Sequence, residues 1–505
     1  MAFKRYKADA DNTIVNTFKP GFKLRATGSN AGYADVMEVY SIYGREASGS
    51  QELSRILVKF PVSSISTDRT AGTIPASGSV SFYLKLYNAQ HSKTVPESFT
   101  LLVSAVSQSW QEGVGLDLET YQDDTKGNEG SNWMSASNTA AWTNVGGDYL
   151  TGSGYLFSQS FETGLEDLEV DITSLVENWI DGTQENYGVG VHLTSSQEAY
   201  HSSSTGLDDG GIIHNTGGAT TSYYTKRFFA RGSQYFFKRP IIEARWDSST
   251  RDDRGNFYYS SSLAPAEDNL NTLYLYNYVR GRLRNIPGIG TGAIYVDLYS
   301  GSANNSGPSG SALNQSVSTP ATGGYVSTGI YSCSVSITAA STPITTLFDV
   351  WYSGSTQYFT GTIKPVVQYA SQTATKLSYY INITNLKSKY NTSETPRFNL
   401  YVRNKNWSPS IYTVSRTDPP STIIQSASYR VYRLLDAYEA IEYGTGSDAH
   451  TVLSYDISGS YFDFDMSVLE PGYGYAFKFS FYDPELSSWI EQPQTFKFRV
   501  EDYEY

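Results

Sequence analysis

The feature that most constrains this chain is an alternation of apolar and polar residues with a period of two, repeated from near one end to the other. Ile56, Val58 and Phe60 fall on one face, with Arg55 and Lys59 on the other. Val80, Phe82, Leu84 and Leu86 alternate with Ser81, Tyr83, Lys85 and Tyr87, and Tyr187, Val189, Val191 and Leu193 alternate with Gly188, Gly190 and His192. The pattern returns at Phe398, Leu400 and Val402, at Tyr475, Phe477, Phe479 and Phe481, and at Phe496, Phe498 and Val500. Successive side chains of an extended chain leave on opposite faces, so each segment predicts a strand with one apolar and one wet face. Strands of this kind bury their apolar faces against one another as antiparallel sandwiches. Helical spacing is scarce. One stretch, Asp171 to Gly182, places Leu175, Val176, Trp179 and Ile180 on a single face, with Thr173 or Ser174 expected to cap its start and Gly182 to follow its end. The expected fold class is all-β: serial antiparallel β-sandwich domains with one short helix in the first domain.

Composition agrees with that pattern and narrows the function. The 505 residues are enough for about three or four domains. Only 17% are charged, while Tyr occurs 42 times and Gly 43 times, a balance suited to short strands and many turns and opposite to that of a disordered chain. The net charge of −13 argues against nucleic-acid binding, which needs a basic footprint. The short basic groups Lys4, Arg5 and Lys7, and Arg280, Arg282 and Arg284, read as solvated surface. The single cysteine, Cys333, excludes an internal disulfide and sits in the alternating run Tyr331 to Ile337, where it reads as a small core residue. With five histidines and one cysteine, zinc chemistry has little material, and no cofactor is expected.

The opening residues Met1 to Tyr6 lack the apolar core of a signal peptide, and no window reaches the roughly 18 apolar residues of a membrane span. The expectation is a protein made in a cytoplasm yet built like an extracellular structural protein, a combination that fits a virion component assembled inside a host cell. Composition shifts place a first domain at 1–247, a polar linker at 248–267, a second domain at 268–370 and a third at 371–505. The Gly/Ser/Asn-rich stretch from Ser300 to Gly310 reads as an exposed loop.

Several ordered pieces of the first half resemble the DNRLRE-type domain, a β-sandwich shaped like a carbohydrate-binding module. They are Ala8 to Ile14, Arg55 to Phe60, Trp110 to Gly115 followed by Asn132-Trp133, Trp142 and Gly146 to Tyr149, then Val170 to Trp179 with Asn186 to Val189, and Arg239 to Glu243. Long inserts around Leu116–Asn132 and His201–Tyr224 depart from that pattern, so no loop-borne function is carried over. Leu469 to Tyr475, leading into an alternating strand, resembles the tyrosine corner of fibronectin-type-III and immunoglobulin-like domains. That likeness implies that the Tyr475 hydroxyl bonds back to the main chain as a stabilising device. The overall layout is similar to structural proteins of tailed phages.

Three constellations are candidates for chemistry. Asp117, Glu119, Asp123 and Asp124 crowd one loop, with Asp208 and Asp209 in another; oxygen ligands of this kind can hold calcium, although the spacing is not that of an EF-hand. Glu166, Asp167 and Glu169, and Glu112 near Trp110, supply carboxylates of the kind glycoside hydrolysis needs, but no nucleophile elbow, phosphate loop or metalloprotease helix accompanies them. Trp110, Trp133, Trp142 and Tyr121 could stack on sugars or, more simply, seal a core with Trp179. Tyr223, Tyr224, Phe228 and Phe229 are candidates for subunit contacts, and the tyrosine excess as a whole exceeds what the cores need. The Asn-X-Ser/Thr matches at Asn382, Asn391 and Asn406 read as chance.

The expectation is a non-enzymatic structural component of a phage particle, as a neck, tail, baseplate or capsid-decorating protein. It would contact identical copies and other virion proteins, with no catalytic, cofactor or metal residues assigned. The alternative is a virion adhesin for host-surface polysaccharide, acting through the first domain.

Overall fold

The computed structural model describes the chain except for residues 1, 19–24, 45–49, 92–96, 117–128, 203–211, 263–264, 303, 317, 339–343, 366–377, 408–420, 445–447, 484–485 and 503–505. Two compact units are present, one formed by Ala2–Asp247 with Thr445–His450, the other by Ser248–Gly444 with Thr451–Tyr505. The position 370/371, where the second domain was expected to give way to the third, lies outside the described residues.

The first unit is a two-sheet sandwich. Its strands are β1 (Phe3–Lys7), β2 (Ala10–Asn16), β3 (Val36–Gly44), β4 (Ser50–Lys59), β5 (Ser81–Leu86), β6 (Phe99–Ala105), β7 (Leu156–Phe161), β8 (Leu168–Asp171), β9 (Val189–Leu193), β10 (Tyr223–Phe229) and β11 (Ile241–Arg245). The smaller sheet has the order β1-β11-β5-β8. The larger runs β10-β3-β4-β9-β6-β7, with β2 also paired to β4. All these pairings are antiparallel. Ile56 and Val58 of β4 and Phe60 just after it join Phe82, Leu84 and Leu86 of β5 and Ile242 of β11 in one buried core.

Among the described residues two helices cover this core, where one was expected. The expected helix is α2 (Thr173–Asp181), which buries Leu175, Val176 and Trp179 and ends at Gly182 with φ 79°. Its start differs from the expectation. Thr173 Oγ1 accepts the Phe82 N–H of β5 at 2.8 Å, and Asp171 Oδ1 accepts the Thr173 N–H at 2.8 Å, so neither Thr173 nor Ser174 caps the helix. The unexpected helix is α1 (Val62–Thr70), with only Val62 and Ile65 buried. Two apolar residues are too few to write a helical period into the sequence. Tertiary contact holds it instead: Arg69 forms a two-pronged ion pair with Glu177 of α2, its Nη2 2.7 Å from Oε1.

In the second unit, residues 268–365 contain one seven-stranded antiparallel sheet. Its six long strands, in the order Asn271–Tyr276, Ile330–Val335, Ala321–Ser327, Ile294–Gly301, Leu347–Ser353 and Thr356–Ile363, share a single core. Tyr331, Cys333 and Trp351 are buried there, and burial pushes the Cys333 thiol up to about 12, as suits an inert core residue. The described residues of the polar stretch 248–267 are not slack. Phe257 is fully buried in this core. Asp252 caps a short 3-10 turn, Asp253 accepts the Tyr455 hydroxyl at 2.8 Å, and the Tyr455 N–H donates to the Thr250 carbonyl at 2.9 Å. Arg254 reaches Asp349, whose other oxygen accepts Trp351 Nε1 at 2.7 Å.

The last part of the chain is a sandwich of a four-stranded and a six-stranded sheet. The four-stranded sheet has the order Tyr379–Ile383, Arg397–Asn404, Gly459–Asp463, Ser454–Asp456. The six-stranded sheet centres on Gly474–Asp483, whose inward residues Phe477 and Phe479 interlock with Phe398, Phe462 and Phe498. Ring centroids are 4.7 Å apart for Phe477 and Phe498 and 5.0 Å for Phe398 and Phe477. Tyr475 is fully buried, and its hydroxyl donates to the Glu470 carbonyl at 2.7 Å, the contact implied by the corner motif. Tyr475→Phe keeps the ring and strands that carbonyl. The expected cost is about 1–2 kcal/mol in urea unfolding, against no measurable cost if the hydroxyl is idle.

Candidate functional site

The loops over the outer face of the larger sheet of the first unit form a second core, not a cleft. Ile14, Leu53 and Leu57 leave that face, and Trp133, Trp142 and Val106 close over them. Trp133 is fully buried and Trp142 nearly so. Trp142 Nε1 donates to the Asn132 carbonyl at 2.8 Å and Trp110 Nε1 to the Tyr187 carbonyl at 2.7 Å. The indole donors are thus consumed by the loop backbone, and Trp179 belongs to the main core. Of the proposed sugar-stacking residues, Tyr121 lies outside the described residues.

A buried ion pair anchors this lid. Arg55 of β4 grips Glu198 with contacts of 2.8, 2.9 and 3.0 Å and donates to the Gly146 carbonyl at 3.1 Å. Its guanidinium lies 5.3 Å from the Trp133 ring centroid and 5.7 Å from that of Tyr149. Burial works against the charge on Arg55, and Glu198 more than offsets it, so the guanidinium is held more firmly protonated than usual. Nearby His192 is driven the other way. Burial first, then the Arg55 charge, lowers its pKa to about 3, so the imidazole is neutral. Its Nδ1 lies 2.8 Å from the Leu193 carbonyl, which can only accept, so Nδ1 carries the proton and Nε2 can accept from Ser104. Two glycines let the lid close. A Cβ on Gly146, at φ 83°, would sit 2.9 Å from Trp133, and one on Gly190 would fall 2.0 Å from Tyr149.

The candidate carboxylates have structural partners. Glu112 pairs two-pronged with Arg231, at 2.9 Å on each oxygen, and accepts the Asp11 N–H at 3.0 Å. Glu166 folds back onto its own turn. Partial burial opposes its charge, but the Thr163 and Glu162 N–H groups outweigh this and lower its pKa to about 2. Asp167 accepts the Asn88 N–H at 2.6 Å. Glu169 joins a charge network on the smaller sheet, at 2.7 Å from Arg245 and 3.1 Å from Lys85. These contacts show turn caps and ion pairs and do not arrange the four as an acid and a base across a cleft. The calcium candidates Asp117, Glu119, Asp123, Asp124, Asp208 and Asp209 lie outside the described residues. Among those described, no group of three or more His, Cys, Asp or Glu is placed to hold a metal ion.

The subunit-contact residues named from sequence need correction at Phe228, which is fully buried in the sandwich core; the alternation of β10 turns it inward. Phe229 is half-buried against Tyr235, and nothing is described of the side chains of Tyr223 and Tyr224. Lys226, on the same strand, is a buried clasp. Its ammonium donates to Asn88 Oδ1 at 2.8 Å and to the carbonyls of Gly164 and Glu166, and burial lowers its pKa to about 8.

Exposed aromatic area lies elsewhere. Strand Gly474–Asp483 turns back into strand Ser488–Glu491, and Tyr482 packs edge-on against Trp489 with centroids 5.6 Å apart. Tyr482 is 38% exposed, Trp489 47% and Leu486, near the turn, 61%. Strand Ser488–Glu491 pairs only with Gly474–Asp483 among the described residues. The sequence held a usable sign of this surface: with Phe477, Phe479 and Phe481 facing in, Tyr482 must face out. The tyrosines as a group divide between the two environments. Tyr331, Tyr429 and Tyr475 are buried, whereas Tyr33, Tyr235, Tyr278 and Tyr380 are each at least half exposed.

No family model and no curated protein matches the chain. Among solved structures, the crystal structure of Salmonella alpha-2-macroglobulin reacted with methylamine is similar at 8% identity, over 99% of this chain and 34% of that one, with a TM-score of 0.14. The chain therefore spans about a third of that protein's length, and a likeness at this score carries no argument about fold or function.

Proposed function

We propose that this chain is a structural component of an assembled particle, acting through protein–protein contacts and not through an enclosed pocket. The observation that carries this reading is the exposed Tyr482–Trp489 pair with Leu486 on a hairpin whose outer strand has a free edge among the described residues. Exposed apolar side chains beside a strand edge that no second strand covers among the described residues suit strand addition by a second copy of the chain. The engagement of Glu112, Glu166, Asp167 and Glu169 in structural pairs supports a non-enzymatic role. The particle type, a tailed-phage virion with this protein in its neck, tail, baseplate or capsid decoration, rests on the resemblance of the domain layout.

Sedimentation velocity of the full chain, across a concentration series, tests the proposal. The wild type is expected to self-associate. The Leu486→Asp/Trp489→Ala variant is expected to shift at least about tenfold toward monomer with an unchanged melting profile, because both side chains are exposed. A wild-type chain that stays monomeric throughout, and that mass spectrometry finds in no purified particle, would sink the reading.

A further inference from the structure

Strands Tyr379–Ile383 and Arg397–Asn404 are paired so that Tyr380 stands opposite Arg403 and Asn382 opposite Tyr401. Ile381, Leu400 and Val402 face the core, so the residues between them occupy the outer face of the sheet. On that face Tyr380 is 50% exposed. The Arg403 guanidinium lies 5.2 Å from the Tyr380 ring centroid and 5.4 Å from that of Trp407, and the Lys405 ammonium lies 5.4 Å from Tyr380. Two rings therefore hold one planar cation in place, with a second cation alongside.

The cations of this group differ from the neighbouring Arg397 in their partners. On the same strand, Arg397 is paired two-pronged with Asp463, at 2.8 and 3.1 Å. Arg403 and Lys405 form no ion pair among the described residues, and Arg403 Nε is buried without a hydrogen-bond partner. Two uncompensated cations stand together on a chain of net charge −13. An arginine fixed by aromatic stacking has already lost much of its side-chain freedom, so binding a planar anion costs it less entropy. The adjoining outward positions Asn382 and Asn399 are exposed amides that can donate to and accept from hydroxyl groups.

We propose that this face is a binding platform for an acidic polysaccharide. A carboxylate on the sugar would meet Arg403 and Lys405, while the ring would lie against the exposed face of Tyr380. Three features select this class of ligand. The forked guanidinium matches a carboxylate, the exposed ring offers an apolar face, and the amides suit hydroxyls. A single-stranded nucleic acid needs a basic track along many phosphates, which two cations do not supply. This platform belongs to the last sandwich and does not depend on self-association through the Tyr482–Trp489 hairpin.

Isothermal titration of the full chain with a polyuronate oligosaccharide tests the proposal, with a neutral glucan oligomer, an oligo-dT strand and poly-glutamate as parallel arms. Saturable binding is expected for the polyuronate and weak or no binding for the other three. Arg403→Met and Lys405→Ala are each expected to weaken polyuronate binding by about tenfold, and added salt to weaken it in the wild type. Lys405 is exposed, so its variant remains informative even if Arg403→Met loosens the sheet. Equal affinity of the Lys405→Ala variant and the wild type would overturn the proposal, as would no polyuronate binding or tighter binding to glucan, oligo-dT or poly-glutamate.

Discussion

Replacing Trp133 by alanine is expected to destabilise the first unit by about 3–5 kcal/mol, the range for deleting a fully enclosed large aromatic side chain. The ring has no water to lose it to: it is sealed between the outer face of the larger sheet and its own loop, with the Arg55 guanidinium beside it and Gly146 against its edge. Truncation leaves a cavity that the lid cannot easily collapse, because Trp133 N–H and C=O are both engaged, with the Thr27 carbonyl and the Gly146 N–H. Urea unfolding followed by tryptophan fluorescence and circular dichroism measures the loss. The result also discriminates the two roles open to this residue. A sugar-stacking tryptophan would lose ligand binding at nearly unchanged stability, whereas the buried one loses stability first.

The second large effect is expected at the ion pair beneath the same lid. Glu198→Gln leaves the Arg55 cation buried against one neutral amide, and the expected cost is about 3–5 kcal/mol. That figure is the penalty of stranding a charge, not the worth of the pair. The two can be separated by the double replacement Arg55→Met/Glu198→Leu, which removes both charges and fills similar volume. The double variant is expected to recover most of the stability lost by Glu198→Gln alone, as apolar replacements of buried pairs often do. Thermal and urea melts of the wild type and the two variants make this comparison. If the double variant is as unstable as the single one, the pair does more than neutralise itself, and the contacts of Arg55 with Gly146, Trp133 and Tyr149 would be the source.

Much of the architecture was legible in the sequence, and for a physical reason. Strand period is written directly into residue type where apolar and polar residues alternate, as in β5 and the Phe477–Phe481 run. The same rule made α2 readable, because its four apolar residues fall on one face, and it made Tyr475 readable, because a corner motif fixes a local main-chain partner. What the sequence hid are features set by distant contacts. Helix α1 carries two buried residues and an ion pair to a residue about 110 positions away. The hydroxyl of Thr173 was free, by sequence, to cap its helix, but the Phe82 N–H of the neighbouring strand in the same sheet competes for it. Arg55 looked like a solvent-facing residue of an alternating strand, and it is buried because a loop block folds over that face. Phe228 looked like surface because its neighbours are aromatic, while strand alternation puts it in the core. The outward aromatics Tyr380, Trp407 and Trp489 were hard to single out among so many aromatic residues without knowing which face each strand buries.

The lid over the first sandwich has a consequence for how such a chain can change over generations. Gly190 and Tyr149 occupy a volume that admits one side chain, not two, and Gly146 stands in the same relation to Trp133. A mutation at either glycine is blocked until its aromatic partner has become smaller, yet shrinking the aromatic first opens a void. Each pair is therefore reached or abandoned through an unfavourable intermediate, and the two halves are expected to be inherited together. The loops that look freest to vary in this domain are tied to the strands beneath them by mutual exclusion, so drift there proceeds in coupled steps.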